Sequence, residues 1–314
     1  CWNVRNKVKW GKWKNNIEFR FLPFKKYYQK FWTKIFYSYW IYRDNPDCVL
    51  LNFLYHGEQI LPKNLNYIYI LHSPASQVPN RYDYIKNHIK YFKNMTFVAV
   101  SNFVKDEAIE YFPKNKIEVI YNAVDKTIFK PKSHVKSKNM RIITLSALEK
   151  RKRIQNVILA LNTINNPNIF YDIYGEGFYK NKIKNLIKKC NLEKNIRLNN
   201  VSNNPEKCLK KADIFILLSK GEALPIAPLE AMSCGLPVIV SHDKPYDEFI
   251  SESCGLMVNP DSQSAIVDAI LKMKNLSYRS KLGEGAINTI DKLFSLDKMG
   301  KKYLNLILKK TSTI

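Results

Sequence analysis

Paired cysteines are missing from this sequence. Its six cysteines, at positions 1, 48, 190, 208, 234 and 254, form no C-x-x-C pair and have no histidine at zinc-ligand spacing, which argues against a zinc ribbon or a dithiol redox centre. They read as ordinary thiols of a reducing compartment, so a cytoplasmic location is expected. Long apolar runs are missing as well. No uncharged apolar stretch reaches the ~18 residues that a spanning helix needs, and any membrane contact is expected to be peripheral, at the inner face. A starting methionine is also absent: the chain opens on Cys1, and the natural start is expected upstream, with any signal peptide.

Acidic residues are scarce. Asp and Glu number 27 against 51 Lys and Arg in 314 residues, a net charge of +24. Such a field attracts anions, whether nucleic acid, acidic membrane surface or phosphorylated substrate. Lys, Asn and Ile are abundant together along the whole chain, as AT-rich coding sequence produces, and that bias accounts for part of the excess. The length allows two domains with a substantial core in each.

Short apolar runs rich in β-branched residues recur along the chain. "PDCVLLNF", "NYIYILHS", "TFVAV" and "IEVIY" precede residue 125, and "RIITLS", "IFYDIYG", "NIRLNN", "DIFILLS", "LPVIVS" and "GLMVN" follow it. Most are apolar on both faces, as strands of a helix-covered parallel sheet are. Between them, "KNKIKNLIKKCNL" and "SQSAIVDAILKMK" repeat apolar residues at helical spacing. The alternation predicts doubly wound α/β structure. The polar stretch "FKPKSHVKSKNM", residues 129–140, reads as a linker. The expected organisation is a first domain over 1–132, a second over 140–290, and a C-terminal helix over 291–314 that packs back on the first. Two such domains leave a cleft at the carboxyl ends of their strands, where ligands of these sheets bind.

Residues 1–43 differ in kind, with eleven Lys and Arg against Glu18 and Asp-free, aromatic-rich sequence throughout. From Phe24 to Trp40 the aromatic and aliphatic residues follow helical spacing. Three readings stay open: a helix packed on the first sheet, a basic aromatic face resting on an anionic membrane or receiving a lipid-linked acceptor, or a platform stacking single-stranded nucleic acid.

The stretch "SKGEALPIAPLEAMSCGLPVIVS", residues 219–241, carries two acids in a lysine-rich chain. A buried strand ends near Ser219 and the chain turns at Gly221. Pro228 suits the first turn of a helix, Glu230 is expected in that same turn, and Gly235 ends the helix. Glu222 then lies on a loop at a strand's carboxyl end and Glu230 at a helix start, both toward the cleft. Carboxylates accept from neighbouring sugar hydroxyls, and helix starts and loop amides suit phosphate. A ligand with sugar and phosphate parts fits both. The alternative is that Glu230 complements the helix dipole and Glu222 is a solvated loop residue.

The run E-A-L-P-I-A-P-L-E-A-M-S-C-G-L-P-V closely resembles the E-x7-E signature of the retaining glycosyltransferases of family four. "VAVSNF" with Ser101, "VIYNAVDKTIF", "YGEG" with Gly175 and Gly177, and "CGLMVNP" resemble further family features, in the family's order, over roughly residues 45–295. The resemblance implies a GT-B fold of two facing Rossmann-like domains and a nucleotide-diphosphate sugar as donor, with a glycan or lipid-linked acceptor. It implies that Glu230 holds the donor ribose and that Glu222 sits by the transferred sugar and leaving phosphate. The amides of Ala223, Leu224 and Ile226 line the same donor pocket, and Gly175 and Gly177 belong to it. In "SALEKRKRI", Lys152 falls on the family's phosphate-gripping lysine, whereas Ala147 stands where the family has an arginine; Arg151 or Arg153 is the expected replacement. His72, at the end of "YIYIL", falls on a histidine that reaches the sugar in the cleft. His56 is a weaker candidate.

The family's first strand and glycine-rich loop have no counterpart in residues 1–23, so the first domain is expected to be truncated or reduced there. No D-x-D cluster stands out at the cleft, and neither metal nor cofactor is expected. Competing readings are a sugar-nucleotide-binding protein without transfer activity, a basic nucleic-acid-binding protein and, against the glutamate signature, a sugar-nucleotide epimerase.

Overall fold

The computed structural model describes residues 43–44, 46–52, 65–89, 94–131 and 137–311. The expectations for residues 1–42, for His56 and for the central part of the 129–140 linker lie outside them.

All ten strands expected from the sequence form, in two parallel sheets. The first sheet holds β1 (Cys48–Leu51), β2 (Asn66–Leu71), β3 (Asn94–Ala99) and β4 (Ile117–Val119) in the order β1-β2-β3-β4. The second holds β5 (Met140–Leu145), β6 (Ile169–Tyr174), β7 (Ile196–Asn199), β8 (Ile214–Leu217), β9 (Val238–Ser241) and β10 (Gly255–Val258) in the order β10-β9-β8-β5-β6-β7. The chain builds outward from β5 to β7, then crosses back to β8 on the other side of β5. The helices that follow β5 and β8 therefore lie against different cores, and this switch point opens a crevice at the strand carboxyl ends.

Period-two alternation divides the second sheet between two cores. Ile142, Ile214, Ile216 and Ile239 face one cluster with the helices Ile154–Ile164, Lys180–Lys189 and Gln263–Lys272. Ile143, Phe215, Leu217, Val238 and Val240 face the other, continuous with Tyr67, Ile68, Phe97 and Val98 of the first sheet. One apolar cluster thus runs through both parallel sheets and the helices that pack on them, and two such sheets are what the resemblance implied. Thr144, buried among these residues, donates to the Ile216 carbonyl at 2.6 Å and ties β5 to β8 beside the switch point.

After the helix Leu276–Leu293 the chain returns to the first sheet. The Val124 amide donates to the Phe294 carbonyl at 3.0 Å. In the final helix, Leu296–Thr311, Leu306 is buried in the cluster that contains Leu51 and Tyr67. The five described cysteines are free thiols. Among the described residues no helix is long and apolar enough to cross a membrane.

Candidate active site

Two loops meet at the switch point. The loop after β5 runs from Ser146 into a short 3-10 turn, Lys150–Lys152, and the loop after β8 runs from Leu218 to Pro225. The Lys220 amide donates to the Arg151 carbonyl at 3.0 Å and fixes one loop against the other. This contact brings the sequence-expected cations onto the sequence-expected acid. Lys152 Nζ lies 2.5 Å from Glu222 Oε1, and Arg151 Nη1 lies 3.0 Å from the same oxygen. Lys152 and Glu222 side chains are only 9% and 12% exposed, whereas Arg151 is 40% exposed. A buried ammonium of this kind needs its carboxylate, because an unpaired charge there is costly.

Of the two arginines that could stand in for the one absent at Ala147, the structure separates their fates. Arg153 has left-handed backbone, φ 52°, at the start of the helix Ile154–Ile164. Its guanidinium bonds Asp243 at 3.1 Å and Asp261 at 3.2 Å, away from Glu222. Arg151 alone of the two reaches the acid.

Glu230 sits elsewhere than expected. The helix begins at Ile226, so Glu230 is its fifth residue and no acid occupies the first turn. Its carboxylate therefore does not serve the helix dipole, which acts within the first turn. It is 7% exposed, and burial, assisted by Glu206, pushes its carboxyl up to about 7. No described residue pairs with it. A buried acid without a partner is costly in a merely structural role and is suited to receiving hydroxyl donors from a ligand.

Pro225 precedes the helix with extended backbone, φ −71° and ψ 127°. The amides of Ala223, Leu224 and Ile226 around it donate to no group among the described residues, so they are available to an anion. Gly221 makes the turn with φ +71°, and the side chain of Gln77 from the first domain lies over it where a Cβ would be. Gly175 and Gly177 pack against the β5 loop instead: a Cβ on Gly175 would stand 1.9 Å from the Ser146 carbonyl oxygen, and one on Gly177 would stand 2.3 Å from that of Leu148. They shape the backbone on which Ala147 is carried.

His72 begins the loop after β2, half-buried, with Nε2 in contact with Asn52 Oδ1. Burial, and then the Arg81 guanidinium, hold its imidazole below the usual histidine range. Among the described residues no group of three His, Cys, Asp or Glu side chains is placed to hold a metal ion. Sequence reasoning missed Gln77, Tyr246 and Glu248. Tyr246 hydrogen-bonds Ser219 at 2.7 Å behind the Glu222 loop, and no local pattern marks any of the three.

Comparison with known proteins agrees with this fold. The family profile described as "Glycosyl transferases group 1" matches residues 125–289, and that described as "Glycosyltransferase Family 4" matches residues 9–127. The O-antigen biosynthesis glycosyltransferase WclY of Escherichia coli is 26% identical over 204 residues, 62% of this chain and 56% of that protein. A Campylobacter jejuni relative, N-acetylgalactosamine-N,N'-diacetylbacillosaminyl-diphospho-undecaprenol 4-alpha-N-acetylgalactosaminyltransferase, is 26% identical over 197 residues, 62% of this chain and 54% of its own. The matches thus span little more than half the length of these relatives. Among solved structures, Alr3699/HepE of Anabaena with UDP and glucose superposes with a TM-score of 0.75 at 16% identity, over 87% of this chain and 81% of that one. That likeness shows the GT-B fold. With the group 1 profile covering more than half of its length, the chain belongs to the glycosyl transferases group 1 family.

Proposed function

We propose that this protein is a glycosyltransferase that moves a sugar from a nucleotide-diphosphate sugar to an acceptor hydroxyl, with retention of anomeric configuration, in the synthesis of a glycan, polysaccharide or glycolipid. The observation that carries it is the Lys152–Glu222 contact of 2.5 Å at the switch-point crevice, beside three unpaired amides. The E. coli relative's name places it in O-antigen biosynthesis, the C. jejuni relative's names a diphospho-undecaprenol acceptor, and the Anabaena protein holds UDP and glucose. Those names make uridine diphosphate sugars the first donors to test and a lipid-linked glycan the first acceptor.

In this reading the ribose hydroxyls donate to Glu230 and the diphosphate lies on the amides of Ala223, Leu224 and Ile226. During transfer the bond from the sugar's anomeric carbon to the diphosphate breaks, and the acceptor oxygen bonds to that carbon on the same face. The acceptor's proton passes to the departing phosphate oxygen. Lys152 and Arg151 offset the negative charge that develops on the diphosphate, in a water-poor crevice where such charges act strongly. Glu222 holds both cations and accepts from hydroxyls of the transferred sugar, and neutral His72 approaches that sugar from the first domain. The reading invokes neither metal nor cofactor. Contact with a membrane surface through residues 1–43 belongs to the same proposal.

The test is a panel of uridine, guanosine and adenosine diphosphate sugars. One donor should raise the melting temperature, as a ligand stabilises the state it binds, and that donor should be consumed in the presence of acceptor. Glu222→Ala and Lys152→Ala should each slow consumption by about 100-fold or more. Binding of a donor with no turnover on any acceptor would favour the binding protein without transfer activity, a reading to which Ala147 in the arginine position lends support. No stabilisation by any donor would sink both.

A further inference from the structure

One carboxylate outside the crevice joins the two domains. Glu248 ends the short 3-10 turn Tyr246–Glu248 of the second domain, yet both of its oxygens rest on first-domain groups. Oε1 accepts from the Phe103 amide at 2.7 Å; Oε2 accepts from the Asn102 amide at 2.8 Å, from the Tyr121 hydroxyl at 3.0 Å and from Asn102 Nδ2 at 3.2 Å. Asn102 and Phe103 are the first two residues of the helix Asn102–Tyr111, and the hydroxyl of its own cap, Ser101, accepts from the Val104 amide instead. The helix start thus receives its anion from the other domain, in the position where unpaired amides and the helix dipole favour one. The Lys126–Asp291 pair also crosses between the domains, but its side chains are 40% and 47% exposed and water screens them.

Both ends of the Glu248 contact lead to a loop at the crevice. On one side Tyr246, two residues before Glu248, bonds Ser219, which opens the loop that carries Glu222. On the other side Glu107, on the same capped helix, accepts from the Ser76 amide and the Ser76 hydroxyl, each at 2.8 Å. Ser76 lies in the loop that begins with His72 and ends with Gln77, and Gln77 closes the circuit by lying over Gly221.

We infer that Glu248 is a positioning residue that fixes the first-domain helix, and through Glu107 the His72 loop, at a set distance above the Glu222 loop. The inference rests on the glycosyl-transfer reading for its kinetic consequence and is independent of it for its structural one. The second domain's nucleotide pocket does not use Glu248, so nucleotide binding and domain positioning separate.

Glu248→Gln tests this in the full chain, because it keeps the shape while placing an amide N–H group among donors. Hydrogen exchange at the Asn102 and Phe103 amides should rise by about tenfold or more, the change expected from losing a charge-assisted hydrogen bond. Exchange in β5 and β8 should stay as in the wild type. The Kd for UDP should change by less than about twofold, while kcat falls and the acceptor KM rises. Glu248→Asp, which keeps the charge, should restore part of the protection and part of the rate. Protected amides in Glu248→Gln would overturn the inference whatever the rate does. If the wild type turns over no donor, the transfer reading falls and the amide protection alone decides the role of Glu248. Should Glu248→Gln not fold, Tyr121→Phe removes one donor only; exchange at Asn102 and Phe103 then rises if the inference holds and is unchanged if it does not.

Discussion

Lys152 Nζ and Glu222 Oε1 stand 2.5 Å apart although 70 residues separate them in the chain. They arrive on loops that leave adjacent strands, β5 and β8, at the point where the sheet order reverses. The pair is buried on both sides, so its members hold each other whether or not a ligand is present.

Removing one partner therefore destabilises the fold as well as the reaction. Glu222→Ala should lower the unfolding free energy by about 3 kcal/mol, the cost of stranding the buried Lys152 charge, and Lys152→Ala, which leaves Glu222 its Arg151 contact, should lower it by less. The double variant should lose less than the sum of the two, by at least about 1 kcal/mol. Denaturant titration of the four proteins measures this; additive losses would mean that the two side chains do not act as a pair in solution.

Arg151 is exposed, so its contribution to stability is small and its contribution to ligand binding is not. Arg151→Ala should shift the unfolding free energy by less than about 1 kcal/mol and weaken nucleotide-diphosphate binding by about tenfold, as loss of a charge-assisted contact to phosphate does. Adding Ala147→Arg to that variant should recover affinity, because Ala147 is exposed on the same loop. Unaltered affinity in Arg151→Ala, measured by calorimetry, would remove it as the substitute arginine.

Glu230 makes both stability and binding depend on pH. Its folded-state carboxyl titrates near 7, above the 4.5 of an unfolded chain, so the folded state prefers the protonated form. Its cost is absent below the unfolded value and grows as pH rises from about 5 to 7. Stability should fall over that window, and Glu230→Gln should flatten the fall. In the proposed reading ribose hydroxyls donate to the ionised form, so uridine binding should tighten from pH 6 to 8 in the wild type and lose that trend in Glu230→Gln. Parallel pH profiles for the two proteins would contradict the assignment.

Gly175 is held by a backbone clash rather than by flexibility. Gly175→Ala would drive a Cβ into the Ser146 carbonyl, 1.9 Å away, and neither atom belongs to a yielding side chain. The loss should be about 3 kcal/mol in stability, together with weaker nucleotide binding through displacement of the Ser146–Lys152 loop. A thermal melt and a UDP titration would show it; a variant as stable as the wild type would mean that the loop moves without cost.

The strands were legible because each is a short β-branched run between helical segments, and apolar residues on both faces require a covered parallel sheet. "IFIL" of β8 shows the limit: the text shows four apolar residues, and only the fold assigns Ile214 and Ile216 to one core and Phe215 and Leu217 to the other. The end of the helix after Pro225 was legible, from Gly235. Its start was not, because Ile226 and Ala227 carry no cap signal, and Glu230 therefore lies two residues deeper than a start at Pro228 suggested.

What the sequence determined by itself is local: alternating strand and helix, a glutamate on each side of a short turn, and a basic run after β5. Which cation meets which acid was decided only in three dimensions. Arg151 and Arg153 are equivalent in the text, but the left-handed backbone of Arg153 sends it to Asp243 and Asp261, and Arg151 is left facing Glu222. Glu248 and the amides of Asn102 and Phe103 lie some 145 residues apart. No periodicity links positions so distant; their contact exists because one apolar cluster takes in residues of both sheets and of the helices that pack on them, and only that packing brings a carboxylate to the start of another domain's helix.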